Sequence, residues 1–138
     1  ILLKKQEQLF MKETLDYSIQ QLEKAFLKLK NGVASAQDDL DKDGVIQRFE
    51  FTFELFWKTL KIFLAFKGIE TRTPRDSLKE AFRINLIEDE KLFLNMLEDR
   101  NKTSHIYDEI TADDIFVRIK NEYVQLIEKT IQKTKTKY

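Results

Sequence analysis

An all-α fold, an up-and-down four-helix bundle with one additional short helix, is predicted by three features of this 138-residue sequence. Glycine and proline together number four. They are scarce against the roughly 12% of average proteins, and a sandwich or barrel would need them at closely spaced turns. Apolar side chains recur three and four residues apart along most of the chain, the period of a helix with one buried stripe. No stretch reads as a strand, an internal repeat or a linker, and the length suits one domain spanning residues 1–138.

The first helix is read from Leu15, Ile19, Leu22, Phe26 and Leu29, and is expected to stop near Asn31-Gly32, a favourable C-terminal pair. Residues 33–39 are small and polar and read as a loop. A second helix is expected over about 43–67, with Ile46, Phe49, Phe53, Trp57, Leu60 and Leu64 on one stripe. Phe56 and Phe63 widen that stripe, so this helix should be buried on more than one side, and Gly68 should end it. Thr73-Pro74 is a cap followed by proline at the first helical position, opening a short helix to about residue 85 with Leu78, Ala81 and Phe82 inward. A fourth helix starts near Glu88-Asp89, carries Leu92, Phe93, Met96 and Leu97, and ends between Arg100 and His105. Thr111 is read as the cap of the last helix, with Asp113 and Asp114 in its first turn where they suit the dipole. Its stripe is Ile115, Ile119, Tyr123, Leu126 and Ile127. Phe53, Trp57, Leu60 and Leu97 are expected in the core.

Composition removes several classes of function. The 24 basic residues balance 24 acidic ones, which argues against a protein that coats nucleic acid with a basic surface. With no cysteine there is no disulfide, zinc–thiolate site, iron–sulfur cluster or thiol catalyst in this sequence. No apolar run approaches the roughly 18 residues of a membrane span. Ile1-Leu2-Leu3 is followed at once by Lys4-Lys5-Gln6-Glu7, so no signal-peptide core is expected and a cytoplasmic location is. Charge is nevertheless uneven. Residues 86–114 hold nine acids against three bases, whereas residues 120–138 hold five lysines against two glutamates. A solvated face and a basic helix C-terminus account for that pattern.

Two motifs carry chemistry. Residues 39–50 match the ligand positions of an EF-hand calcium loop, with Asp39, Asp41 and Asp43 at positions 1, 3 and 5, Gly44 at the turn and Glu50 last. The motif occurs once, however, and the preceding residues lack the apolar stripe of an entering helix. The alternative is that Asp41 or Asp43 caps the second helix, and no calcium is expected to bind. The second motif is Arg100-Asn101-Lys102-Thr103-Ser104-His105-Ile106-Tyr107, which contains the only histidine. In an unbroken helix Arg100 and His105 would point about 140° apart, so the helix should break or bulge between them, or the two groups act from different subunits.

The spacing Arg-x4-His-x-Tyr, with Asn after the Arg, resembles the signature of the HEPN superfamily. Within it, residues 43–61, Thr73-Pro74-Arg75 and Met96-Leu97-Glu98-Asp99-Arg100-Asn101 resemble the nucleotidyltransferase substrate-binding proteins, sisters of the HepT-type toxins. The resemblance implies a dimeric helical bundle, needing no cofactor or metal of its own, that serves a separate minimal (MntA-like) nucleotidyltransferase. This chain lacks the transferase's own apparatus, since none of Gly32, Gly44 and Gly68 is followed by Ser. Two roles follow. One is a substrate-binding or regulatory subunit, for which Arg48, Glu50, Glu54 and Lys58 are the candidate contacts. The other is a metal-independent RNase toxin in which Arg100, Asn101 and His105 act on RNA and the partner silences them by adenylylating Tyr107. Metal-free RNA cleavage needs a base, an acid and a cation at one phosphate. One chain offers one histidine, so a two-fold homodimer joining both motifs would be required.

Overall fold

The computed structural model describes residues 1–105 and 108–137, and among these there is no strand. Six helices follow one another: α1 (Leu2–Ser35), α2 (Asp39–Phe66), α3 (Pro74–Arg83), α4 (Glu90–Lys102), α5 (Glu109–Arg118) and α6 (Val124–Thr136). A π turn, Ile119–Tyr123, joins α5 to α6 without interrupting the rod, so four long rods and the short α3 make the expected bundle. α2 packs against α1, α3, α4 and α5, and its phenylalanines form the centre of the core. Phe49 stacks on Tyr123 with ring centroids 5.6 Å apart, and Phe56 stacks on Phe93 at 5.6 Å. Each such pair adds about 0.5–1.5 kcal/mol beyond the area it buries. On the side facing α1, Thr52 and Thr59 replace bulky residues. Thr52 Oγ1 donates to the Arg48 carbonyl of its own helix at 2.7 Å and lies 3.3 Å from the Ala25 carbonyl of α1, and the Thr59 hydroxyl pairs with that of Ser18 at 2.6 Å, so these buried hydroxyls are satisfied.

Several boundaries differ from the sequence reading, each for a local reason. α1 runs through Asn31-Gly32 to Ser35. Gly32 serves close packing there: a Cβ on it would lie 2.9 Å from Arg48 Nη1, which donates to the Lys28 carbonyl at 2.7 Å. At its other end α1 leaves the bundle, and Leu2, Leu3, Leu9 and Phe10 are exposed. α2 begins at Asp39, and its cap is Asp38 rather than Asp41 or Asp43. The Asp38 carboxylate accepts from the Asp41 N–H at 2.8 Å, and Asp41 reaches back to accept from the Gln37 N–H at 2.9 Å. This differs from a capping box in that the returning carboxylate takes the N–H of the residue before the cap rather than that of the cap itself. α5 is capped by Asp108, whose carboxylate accepts from the Thr111 N–H at 2.7 Å, so Thr111 is the capped residue and not the cap. Trp57 is only half-buried and Phe82 is exposed, whereas Phe53, Leu60 and Leu97 are in the core as expected.

Helix ends elsewhere are as read. Thr73 caps α3 through the Asp76 N–H at 3.1 Å, with Pro74 at the first position. Gly68, at φ +85°, ends α2, and the Ile69 N–H returns to the Leu64 carbonyl at 2.8 Å. Asn85 ends α3 in the same left-handed way, at φ 62°, with the Leu86 N–H on the Ala81 carbonyl at 2.8 Å.

Because residues 39–50 are continuous helix, Asp39 and Asp43 share one face while Asp41 points to the opposite side, so the three cannot converge on one ion. The two glycines of this region provide a test. Gly44 lies inside α2 with nothing within 4 Å of an added Cβ. Gly44→Ala should therefore stabilise the protein by up to about 1 kcal/mol in denaturant melts. A loop turn at Gly44 would give the opposite sign. Gly68→Ala should destabilise by about 1 kcal/mol, because its φ of +85° strains any L side chain.

Candidate functional site

α4 ends at Lys102 and gives way to a 3₁₀ turn, Thr103–His105, with the Thr103 hydroxyl donating to the Arg100 carbonyl at 2.6 Å. Of the two alternatives the sequence left, a break between Arg100 and His105 is therefore present. It does not place the two side chains in one cavity. Arg100 turns toward α2, where Nη2 donates to the Glu54 carboxylate at 2.6 Å. Glu54 also pairs with Lys58 one turn along at 3.2 Å. His105 opens instead into a cleft of about 490 Å³ lined with Glu98, Asn101, Lys102 and Thr111. Asn101 links the two sides: it lines the His105 cleft, and its Oδ1 accepts from Arg100 Nη1 at 3.3 Å.

The candidate contacts on α2 divide. Glu50, Glu54 and Lys58 are four residues apart and share one face. Glu50 lines a second recess of about 320 Å³ with Asp43, Gln47, Thr103 and Ala112, beside the same 3₁₀ turn. Arg48 lies elsewhere, over Gly32 and bonded to the Lys28 carbonyl of α1. Tyr107 lies outside the described residues. Of the phenylalanines of α2, Phe49, Phe53, Phe56 and Phe63 are buried in the chain's own core, whereas Phe51 is exposed.

Charge at this face is balanced locally. Burial alone would raise the Glu54 carboxyl. The Trp57 indole, Lys58 and Arg100 outweigh that and hold it below the usual carboxylate range. The Trp57 N–H is buried beside Glu54 but closes no hydrogen bond of normal length. Among the described residues, no group of three His, Asp or Glu side chains could hold a metal ion.

Sequence reasoning missed the neighbouring polar cluster. Asp99 is 4% exposed and accepts three hydrogen bonds. Arg118 donates two of them, from Nε at 2.7 Å and Nη2 at 2.9 Å, and the Tyr123 hydroxyl donates the third. The hydrogen bonds to Asp99 hold Arg118 more firmly protonated, while burial first and Asp99 second push the Tyr123 hydroxyl above the usual phenol range. A signal was available, since Asp99 falls three residues after Met96, on the apolar stripe of α4. A carboxylate at such a position must find a buried partner.

Comparison with known proteins agrees with this architecture. A family model described as "Nucleotidyltransferase substrate binding protein like" matches residues 13–136. The chain is 37% identical over 81 residues to a protein of Haemophilus influenzae named probable ribonuclease HepT, covering 55% of this chain and 56% of that one. It thus spans about half the length of that curated relative. A crystal structure of a Thermus thermophilus protein superimposes with TM-score 0.77 at 35% identity, covering 82% of this chain and 98% of that one. The Haemophilus influenzae protein HI0074, whose structure is reported to reveal the fold of a substrate binding domain of a nucleotidyltransferase, superimposes with TM-score 0.65 at 27% identity, over 89% and 98% of the two chains.

The Glu54 pairing has a pH signature. Its carboxyl titrates lower in the folded protein than the ordinary 4.5, so the pairing stabilises the fold above that value and is lost as pH falls through the lower folded one. Thermal melts of wild type and Glu54→Gln should differ at neutral pH and converge as the solution is acidified below pH 4.5. Curves that stay parallel to the lowest pH would show that Glu54 is not held by these partners.

Proposed function

This chain belongs to the nucleotidyltransferase substrate binding protein-like family, and on that premise we propose that it is the substrate-binding or regulatory subunit of a two-component nucleotidyltransferase system. One observation carries this reading over an enzymatic one: the motif cation is already engaged. Arg100 is bonded to Glu54, and His105 opens into a different cleft beside Glu98. A chain that cleaves RNA without metal needs a base, an acid and an unencumbered cation around one phosphate. Here one subunit presents a linked strip of Lys58, Glu54, Arg100 and Asn101. Such alternating charged and amide groups suit recognition of a polar partner or substrate.

A second reading, a metal-independent RNase neutralised by the transferase, is kept alive by Asn101. It lines the His105 cleft and touches Arg100, so a modest swing of Arg100 away from Glu54 would bring cation, amide and imidazole to one cleft. The name of the Haemophilus influenzae relative supports the same reading. In this role a homodimer supplies the second histidine, and adenylylation of Tyr107 adds bulk and negative charge beside the motif.

Incubation with single-stranded RNA in EDTA separates the two. For a binding subunit, RNA survives, and Arg100→Ala or Glu54→Ala weakens the complex with a minimal nucleotidyltransferase encoded beside this chain by about tenfold or more, the scale of a lost charged hydrogen bond. For an RNase, cleavage proceeds in EDTA, and His105→Ala and Arg100→Ala each slow it by about 10²-fold or more. Cleavage that persists in His105→Ala excludes the RNase mechanism.

A further inference from the structure

We propose that Asp99, Arg118 and Tyr123 are positioning residues: a buried clamp that fixes the rotation of the last turn of α4 and thereby aims Arg100 at α2 and Asn101 into the His105 cleft. The proposal rests on the reading that the Arg100–Asn101–His105 face is the functional one.

Three observations support it. The first is adjacency. Asp99, Arg100 and Asn101 are consecutive, so in a helix they point in three directions about 100° apart. Three hydrogen bonds on Asp99 fix the first direction and so set the other two. The Arg100–Glu54 pair on the other side is a weaker anchor, because both side chains are partly solvent-exposed.

The second is the π turn. Arg118 and Tyr123 are five residues apart, and on a regular α-helix they would diverge by about 140°. Both nevertheless reach the same carboxylate. A π turn closes from residue i to i+5 and brings such a pair back to one side. The sequence Ile119-Lys120-Asn121-Glu122-Tyr123 contains no proline or glycine that would cause the irregularity locally. The tertiary contact is its cause: the Tyr123 ring stacks on Phe49 while its hydroxyl is drawn to Asp99.

The third is energetic. A buried ion pair contributes little net stability, and an apolar trio of similar volume is often as stable or more so. What the cluster supplies that an apolar trio cannot is direction, because Arg118 grips the carboxylate through two fixed donors.

The test separates direction from stability. In the full chain, the triple variant Asp99→Leu/Arg118→Met/Tyr123→Phe should keep or raise the melting temperature. Backbone amides of residues 100–105 should exchange with deuterium at least about tenfold faster than in wild type, since even one of the three lost charged hydrogen bonds carries that factor, while those of α1 and α2 do not change. A cluster that is merely structural would lose melting temperature and local protection together, or leave residues 100–105 as protected as in wild type; either result overturns the proposal. If the triple variant does not fold, Tyr123→Phe alone decides. It keeps the ring on Phe49, removes one oxygen, and should speed the same amides by a similar factor, and unchanged exchange there overturns the clamp. A wild-type chain that neither cleaves RNA nor binds a transferase, yet shows the exchange pattern, would defeat the functional reading and leave the clamp standing.

Discussion

Helix α2 must be covered on most of its circumference, and this constraint places α1, α3, α4 and α5 around it. Ten of its residues are buried, from Val45 to Leu64, and they occupy more than one face. A single partner helix covers only about a third of such a surface. α1 takes the face lined by Thr52 and Thr59, where small hydroxyl side chains permit close approach. α3, α4 and α5 take the phenylalanine faces. The short connection over residues 36–38 forces α1 and α2 to be antiparallel neighbours. The strip proposed as functional then lies on the part of α2 left over: Glu50, Glu54 and Lys58 are all at least partly exposed, and the end of α4 borders them.

The acidic bias of residues 86–114 is largely structural. Asp89 and Asp108 cap helices, Asp113 pairs with Lys42, and Glu88 bridges Lys129 and Lys133, which hold its carboxyl down at about 2. Asp99 is buried in its cluster. The basic end of α6 is accordingly the partner of the acidic stretch: Lys129 and Lys133 fold back onto Glu88, and Lys135 onto Glu23 of α1. Five of the nine acids in this stretch thus cap helices or pair within the chain. Around the His105 cleft the charge is mixed, because Glu98 and Lys102 both line it.

The same glycine or aspartate can serve opposite ends, which explains where boundary reading failed. Asn31-Gly32 has the chemistry of a helix stop, but Gly32 is where Arg48 crosses α1, and a packing demand from α2 overrides the local preference. The run of aspartates from Asp38 to Asp43 offers several caps and the outline of a metal loop. The bond from the Asp41 N–H to the Asp38 carboxylate, with the Asp41 carboxylate accepting in turn from the Gln37 N–H, selects Asp38. Gly68 and Asn85, by contrast, end helices where nothing competes with their left-handed conformation.

The sequence alone determined the all-α class, the stripes of five rods and the identity of the motif, because periodicity and the scarcity of turn residues are properties of neighbouring positions in the chain. It also required, from the geometry of a helix alone, either a break between Arg100 and His105 or their action from different subunits. Only the tertiary structure decided which motif residues meet. The pairing of Arg100 with Glu54 joins positions 46 residues apart, and the Asp99 cluster joins α4 to a π turn that no local pattern announces. Side-chain direction at a helix end depends on what grips the neighbouring residue, and that grip comes from another helix.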